Sequence, residues 1–152
     1  MALSKLSRSI KDSVAVVTGA ASGMGRATAH LFGDEGARVA LLDVNNAALE
    51  KVNEEMRDAG YDSKAWCVDL SDGKIIKNVF LEISKHFGGI DILINNAGIS
   101  RFAPIDNDDY EIAWHESIAV LLTAHTLTIR AALPHLRKAN NPRIVNIAST
   151  EG

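Results

Sequence analysis

The sequence of 152 residues predicts an α/β fold, a doubly wound parallel sheet covered by helices on both faces. Three observations lead there. Short apolar runs at 14–17, 37–42, 64–68, 91–94 and 143–148 alternate strictly with segments of helical periodicity. These runs are apolar nearly throughout, as strands buried on both faces must be. The first of them passes directly into a glycine-rich turn, VAVVTGAASGMG, and from there into a helix pattern. Right-handed crossovers between such strands are expected to close a parallel, doubly wound sheet. A single domain spans 1–152, since no linker, repeat or low-complexity stretch interrupts the pattern.

Each element has its own signal. After the first strand, Met24, Ala27, Thr28, Leu31 and Phe32 fall at helical spacing and mark the expected inner face of the first helix. Ser22 stands where it can cap that helix, and Gly36 closes it. The second strand ends at Asp43. Asn45 and Asn46 then turn the chain into a helix with Leu49, Val52 and Met56 along one side and Gly60 past its end. The third strand, KAWCV, places Cys67 in the core and ends at Asp69. Asp72 opens a helix with inner face Ile76, Val79, Phe80, Ile83 and Phe87, stopped by Gly88 and Gly89. The fourth strand, DILI, leads into Asn95-Asn96-Ala97-Gly98. A polar loop at 99–107 precedes one long helix over 108–138, apolar nearly all round. Such a helix is expected to be covered on two sides, one by the sheet and the other by a partner subunit. The fifth strand is RIVNIA.

Composition narrows the function. Hydrophobic residues are 47% and charged residues 23%, the balance of a soluble globular domain. A net charge of -3 without a basic run lacks the footprint of a nucleic-acid binder. No apolar run approaches the ~20 residues needed to span a bilayer, so no membrane span is expected. The leader MALSKLSRSIKDS is too polar for a secretory signal. The single cysteine excludes an intrachain disulfide and points to a reducing cytoplasm. His30, His86, His115, His125 and His135 lack ligand spacing. The acids Asp106, Asp108, Asp109 and Glu111 suit a solvated helix start, so no metal is expected.

The residues that carry chemistry gather where strands end. Gly19, Gly23 and Gly25 are spaced G-x-x-x-G-x-G, which lets bare backbone N–H groups and a helix N-terminus face an anion, usually a phosphate. Gly19 takes the tight turn, Gly23 leaves room for a pyrophosphate, and Gly25 lets the helix approach the sheet. Alone, this spacing also suits any strand-to-helix turn. Asp43 supplies a second part. An acid at the end of the second strand accepts hydrogen bonds from a ribose 2′-hydroxyl and repels a 2′-phosphate. The turn holds no Arg or Lys before Gly23, so NAD is expected over NADP. The competing role for Asp43 is a turn cap. Asn95 and Asn96 can tie neighbouring strands together and touch a nucleoside, or form only a turn.

Taken in order, TGAASGMG, Asp43, Asp69-Leu70, NNAG and IVNIAS resemble the short-chain dehydrogenase/reductase family over essentially the whole chain. The resemblance implies a Rossmann-like, NAD(P)-binding domain with strand order 3-2-1-4-5. It implies that Gly19, Ser22, Gly23, Met24 and Gly25 surround the cofactor pyrophosphate and adenosine ribose, and that Asp43 holds that ribose. Asp69 and Leu70 would flank the adenine. Asn96, Ala97 and Gly98 would line the nucleoside side of the cleft. Ser149 matches the family's catalytic serine, whose hydroxyl orients the oxygen of a small alcohol or carbonyl substrate. Members commonly form dimers or tetramers through the long helix and the one after it.

Two departures from the family pattern stand out. Its general acid/base is the tyrosine of a Tyr-x-x-x-Lys motif beyond the serine, with the lysine lowering a phenol pKa of about 10. The tyrosines here, Tyr61 and Tyr110, precede Ser149 and match nothing in that motif. The chain therefore reads as the N-terminal portion of such an enzyme, with the C-terminal part of the family fold absent. The second departure is Leu121, where the family usually has an asparagine that holds a proton-relay water. Two readings follow: an NAD-dependent oxidoreductase moving hydride between nicotinamide and an alcohol or carbonyl carbon, or an inactive nucleotide-binding fragment or structural subunit. A methyltransferase shares the glycine turn and the acid, but NNAG and IVNIAS argue against it.

Overall fold

The computed structural model describes residues 8–149. Its strands are β1 (Val14–Thr18), β2 (Arg38–Asp43), β3 (Ser63–Cys67), β4 (Ile92–Asn95) and β5 (Arg143–Asn146). All four pairings are parallel and the order is β3-β2-β1-β4-β5, as expected. Val16 lies beside Ala40 on one side and Leu93 on the other. The sheet grows outward from β1 to β3, then returns to β4 on β1's other side. The ends of β1 and β4 therefore flank a switch point.

The helices are α1 (Gly23–Asp34), α2 (Asn46–Asp58), α3 (Gly73–Phe87), α4 (Tyr110–Ile118) and α5 (Ala124–Leu136). Alternation along β1 sorts the core into two layers. Val14 and Val16 pack with Phe80, Ile83 and Leu93 on the side of α3 and α5. Ala15 and Val17 pack with Leu41, Leu49 and Met56 on the side of α1 and α2. Each large side chain so buried contributes about 1.5–3 kcal/mol. The expected caps of α2 and α3 are present. Asn45 accepts from Ala48 N, and Asp72 accepts from Lys74 N and Ile75 N. Gly88, at φ 86, ends α3 in the left-handed region.

Several expectations change. In α1 the buried stripe is Gly25, Ala29 and Gly33, while Met24 and Leu31 face outward. The reason is close approach. A Cβ on Gly33 would stand 2.5 Å from Tyr61 Cδ2, so the face that touches its neighbours has no room for large side chains. Ser22 occupies the N-cap position of α1, yet its hydroxyl makes no capping bond. Cys67 is exposed, because β3 is the outermost strand on its side of the sheet. Trp66 is a core residue whose Nε1 donates to Glu82 Oε2 at 3.2 Å.

The long helix contains a π-turn, Ala119–Thr123, in which Ala124 N–H donates to Ala119 O. An all-round apolar pattern has no periodicity to register one wider turn. Helix 110–136 is also 27 residues long and contains an 18-residue stretch of mean hydropathy 1.3, long and apolar enough to cross a membrane. The absence of an uninterrupted apolar run concealed this. Its α5 half packs on the sheet through Ala124, Thr128, Ala132 and Leu136. α4 buries none of its residues.

Candidate functional site

Thr18, the last residue of β1, organises the switch point. Its hydroxyl donates to Ile94 O at 3.3 Å and accepts from Asn96 N and Ala97 N, each at 3.0 Å. One donor and both acceptor positions of the hydroxyl are thereby used, and the residue is fully buried. Asn96 completes the lock. Its Nδ2 donates to Thr18 O at 3.0 Å and to Gly19 O at 3.4 Å. Asn95 faces the other way. Its Nδ2 donates to Asn146 Oδ1 at 2.9 Å, and its Oδ1 accepts from Thr128 Oγ1 at 2.8 Å. The two asparagines thus tie β4 to β1, β5 and α5.

The glycine turn sits on this lock. Gly19 has φ +67, and a Cβ there would stand 2.8 Å from Ala97 Cα. A Cβ on Gly25 would stand 2.0 Å from Gly19 O, so only glycine admits α1 at this distance from the sheet. Gly23, at φ +52, differs: a Cβ there would meet nothing within 4 Å. Open space therefore lies over the start of α1. No side chain caps that end and no acid stands in its first turn. Its N–H groups and the positive end of the helix dipole adjoin that open space, an arrangement that can receive an anion. A pyrophosphate fits such a cradle.

A cleft of about 290 Å³ opens beside the turn. Gly19 lines it from the end of β1, and Asp43 and Val44 from the end of β2. Val68, Asp69, Leu70 and Ser71 follow β3; Ala97, Gly98, Ile99 and Arg101 follow β4. Glu116 of α4 and Val120 of the π-turn complete the lining. Asp43 is tied in place by its neighbours. Its Oδ2 accepts from Ala21 N at 3.0 Å and its Oδ1 from Asn45 N at 2.9 Å. It therefore caps a turn and lines the cleft at once. Asp69 Oδ1 accepts from Ser71 N at 2.8 Å. Arg101 is the one cation among these lining residues, and its Nε lies 2.7 Å from Glu116 Oε2.

The structure thus brings Gly19, Asp43, Asp69, Leu70, Ala97 and Gly98 to one cleft. Ser22, Gly23 and Met24 stand exposed at the start of α1, where the anion cradle is. Gly25 is buried beneath it, and Asn96 is spent on the lock rather than on the cleft wall. Ser149 lies beyond the end of β5, exposed, and is not a lining residue. Leu121 lies in the π-turn, its Cδ2 at 3.5 Å from where a Gly98 Cβ would be. Sequence reasoning passed over Thr18, Arg101 and Glu116. A buried threonine at a strand end before glycine was a usable signal for the first. Among the described residues, no group of three or more His, Cys, Asp or Glu is placed to hold a metal ion.

Comparison with known proteins gives a consistent picture. Residues 13–152 match the family model described as short chain dehydrogenase. The chain is 38% identical over 139 residues to 2,5-dichloro-2,5-cyclohexadiene-1,4-diol dehydrogenase LinX of Sphingobium indicum, covering 91% of this chain and 55% of that protein. It is 36% identical over 143 residues to the uncharacterized oxidoreductase YxjF of Bacillus subtilis, covering 94% of this chain and 55% of that one. The chain therefore spans about half the length of these curated relatives. A crystal structure of a metagenomic short-chain oxidoreductase in complex with NADP superposes with a TM-score of 0.85 at 35% identity, covering 93% of this chain and 64% of that one.

Proposed function

The chain belongs to the short chain dehydrogenase family, and on that premise we propose that it is the nucleotide-binding portion of an NAD-dependent oxidoreductase acting on a small alcohol or carbonyl compound. One observation carries the reading: the uncapped start of α1, open over Gly23, adjoins a cleft walled by Asp43, Asp69 and Leu70. The N–H groups of Gly23, Met24 and Gly25 hold the pyrophosphate, with Ser22 at its side. Asp43 holds the adenosine ribose, and Asp69 and Leu70 flank the adenine. Asn96 fixes the turn from beneath, while Ala97 and Gly98 line the nucleoside side. Bound nicotinamide supplies the hydride chemistry. Ser149 orients the substrate oxygen by hydrogen bonding.

The charge of the cleft favours NAD. Its lining acids are Asp43, Asp69 and Glu116, against Arg101, which is already paired with Glu116. A 2′-phosphate entering beside Asp43 meets repulsion with no unpaired cation among the lining residues to offset it. A second reading, a nucleotide-binding module without turnover, concerns these 152 residues taken by themselves, which contain no Tyr-x-x-x-Lys. Titration calorimetry with NADH and NADPH, followed by assay against a panel of alcohols, tests both. Tighter binding of NADH without turnover fits this chain. Preference for NADPH removes the role given to Asp43, and turnover by the 152 residues alone refutes the module reading.

A further inference from the structure

We propose that the Arg101–Glu116 ion pair is a latch that sets the width of the cleft and, through it, affinity for the adenine nucleotide; the inference rests on the nucleotide reading above. Two elements line the cleft on this side. One is the segment leaving β4, contributing Gly98, Ile99 and Arg101; the other is the helix, contributing Glu116 and Val120. The first wall has little else to hold it. Among the described residues, no backbone hydrogen bond outside the strands involves any residue from Gly98 to Ala103. The Arg101 Nε to Glu116 Oε2 contact, at 2.7 Å, joins this segment to α4.

The helix wall, in turn, takes its position from farther along. α4 buries none of its own residues and is continuous with the π-turn and with α5, which is anchored on the sheet through Thr128 and Asn95. The pair therefore passes the fixed position of α5 to a segment that, among the described residues, has no backbone hydrogen bond outside the strands. Both side chains are about half exposed, 56% and 46%. At that exposure an ion pair adds little to overall stability. Its effect falls on the local position of the wall, the term that decides whether an adenine is enclosed on one side or two.

A double-mutant cycle on the 152-residue chain tests this, with NADH and ADP-ribose as the titrants. Arg101→Ala and Glu116→Gln should each weaken binding by roughly two- to fivefold. The double variant should be no weaker than either single one, and the charge-swapped pair Arg101→Glu with Glu116→Arg should recover most of the loss. Thermal midpoints should stay within about 2 °C of wild type. Additive losses, or affinities unchanged in both single variants, overturn the latch. So does tighter binding in Glu116→Gln, which would mean that a released Arg101 meets the nucleotide directly. A wild-type chain that binds neither titrant refutes the nucleotide reading itself, a result separable from all of these.

Discussion

Thr18 and Asn96 hold each other from both directions: Asn96 N–H donates to Thr18 Oγ1 at 3.0 Å, and Asn96 Nδ2 donates to Thr18 O at 3.0 Å. The first residue ends β1 and the second follows β4, so this reciprocal contact fixes the gap across which the cleft opens. Thr18→Val keeps the shape and removes the hydroxyl, stranding the N–H groups of Asn96 and Ala97. Each buried donor left unpaired costs about 1–3 kcal/mol. Urea unfolding should show a loss of roughly 2–4 kcal/mol, most of it recovered in Thr18→Ser. A loss below about 0.5 kcal/mol would mean that water replaces the hydroxyl.

The glycines of the turn should separate stability from binding. Gly25→Ala drives a methyl into Gly19 O, a backbone atom that cannot swing aside, and should destabilise the fold by about 1–3 kcal/mol or more. Gly23→Ala meets open space, so its stability cost is the positive φ alone, about 1–2 kcal/mol. Its methyl occupies the anion cradle, however, and nucleotide affinity should fall by about tenfold or more. Denaturant midpoints and calorimetric titration on the two variants read the two effects independently.

How much of this was legible beforehand differs between elements. The alternation of apolar runs with helical periodicity located all five strands, and their order came with the family resemblance; β1, β2 and β4 are buried along most of their length, while the flanking β3 and β5 are largely open to solvent. The inner faces of α2 and α3 followed from periodicity. The inner face of α1 did not, since Gly25 and Gly33 carry no hydrophobic signal and are buried by the closeness of their neighbours. Exposure of Cys67 depended on β3 being at the sheet's edge, a property of the order and not of the strand's own residues. In the cleft, Asp43 and NNAG could be read as strand-end chemistry. The pairing of Arg101 with Glu116 could not, because the sequence does not say which acid an irregular segment will meet.

Asp43 should discriminate between cofactors through charge. Asp43→Asn retains an acceptor oxygen for one of its two backbone partners, Ala21 N and Asn45 N, and removes the repulsion of a 2′-phosphate. The ratio of NADPH to NADH dissociation constants should drop by about tenfold, a change near 1.4 kcal/mol. An unchanged ratio would leave Asp43 as a turn cap only.

His125 should give stability a pH dependence. Burial lowers its pKa below the ordinary 6.5, so the fold prefers the neutral ring. Between the folded and unfolded values the unfolded chain binds more protons, so stability rises with pH there. Its contribution is fully present above pH 6.5 and is lost as pH falls through the folded value. Thermal midpoints recorded from pH 7.5 to 5 should show this decline in the native chain and less of it in His125→Gln.

The location of the nucleotide is the point on which these expectations converge, and a crystal structure of the chain grown with NADH reads it directly. The pyrophosphate should lie over Gly23 at the start of α1, with the ribose against Asp43 and the adenine between Leu70 and Val120. Nucleotide bound anywhere else on the sheet, or bound here with its adenine turned away from Asp43 and Asp69, would contradict the account.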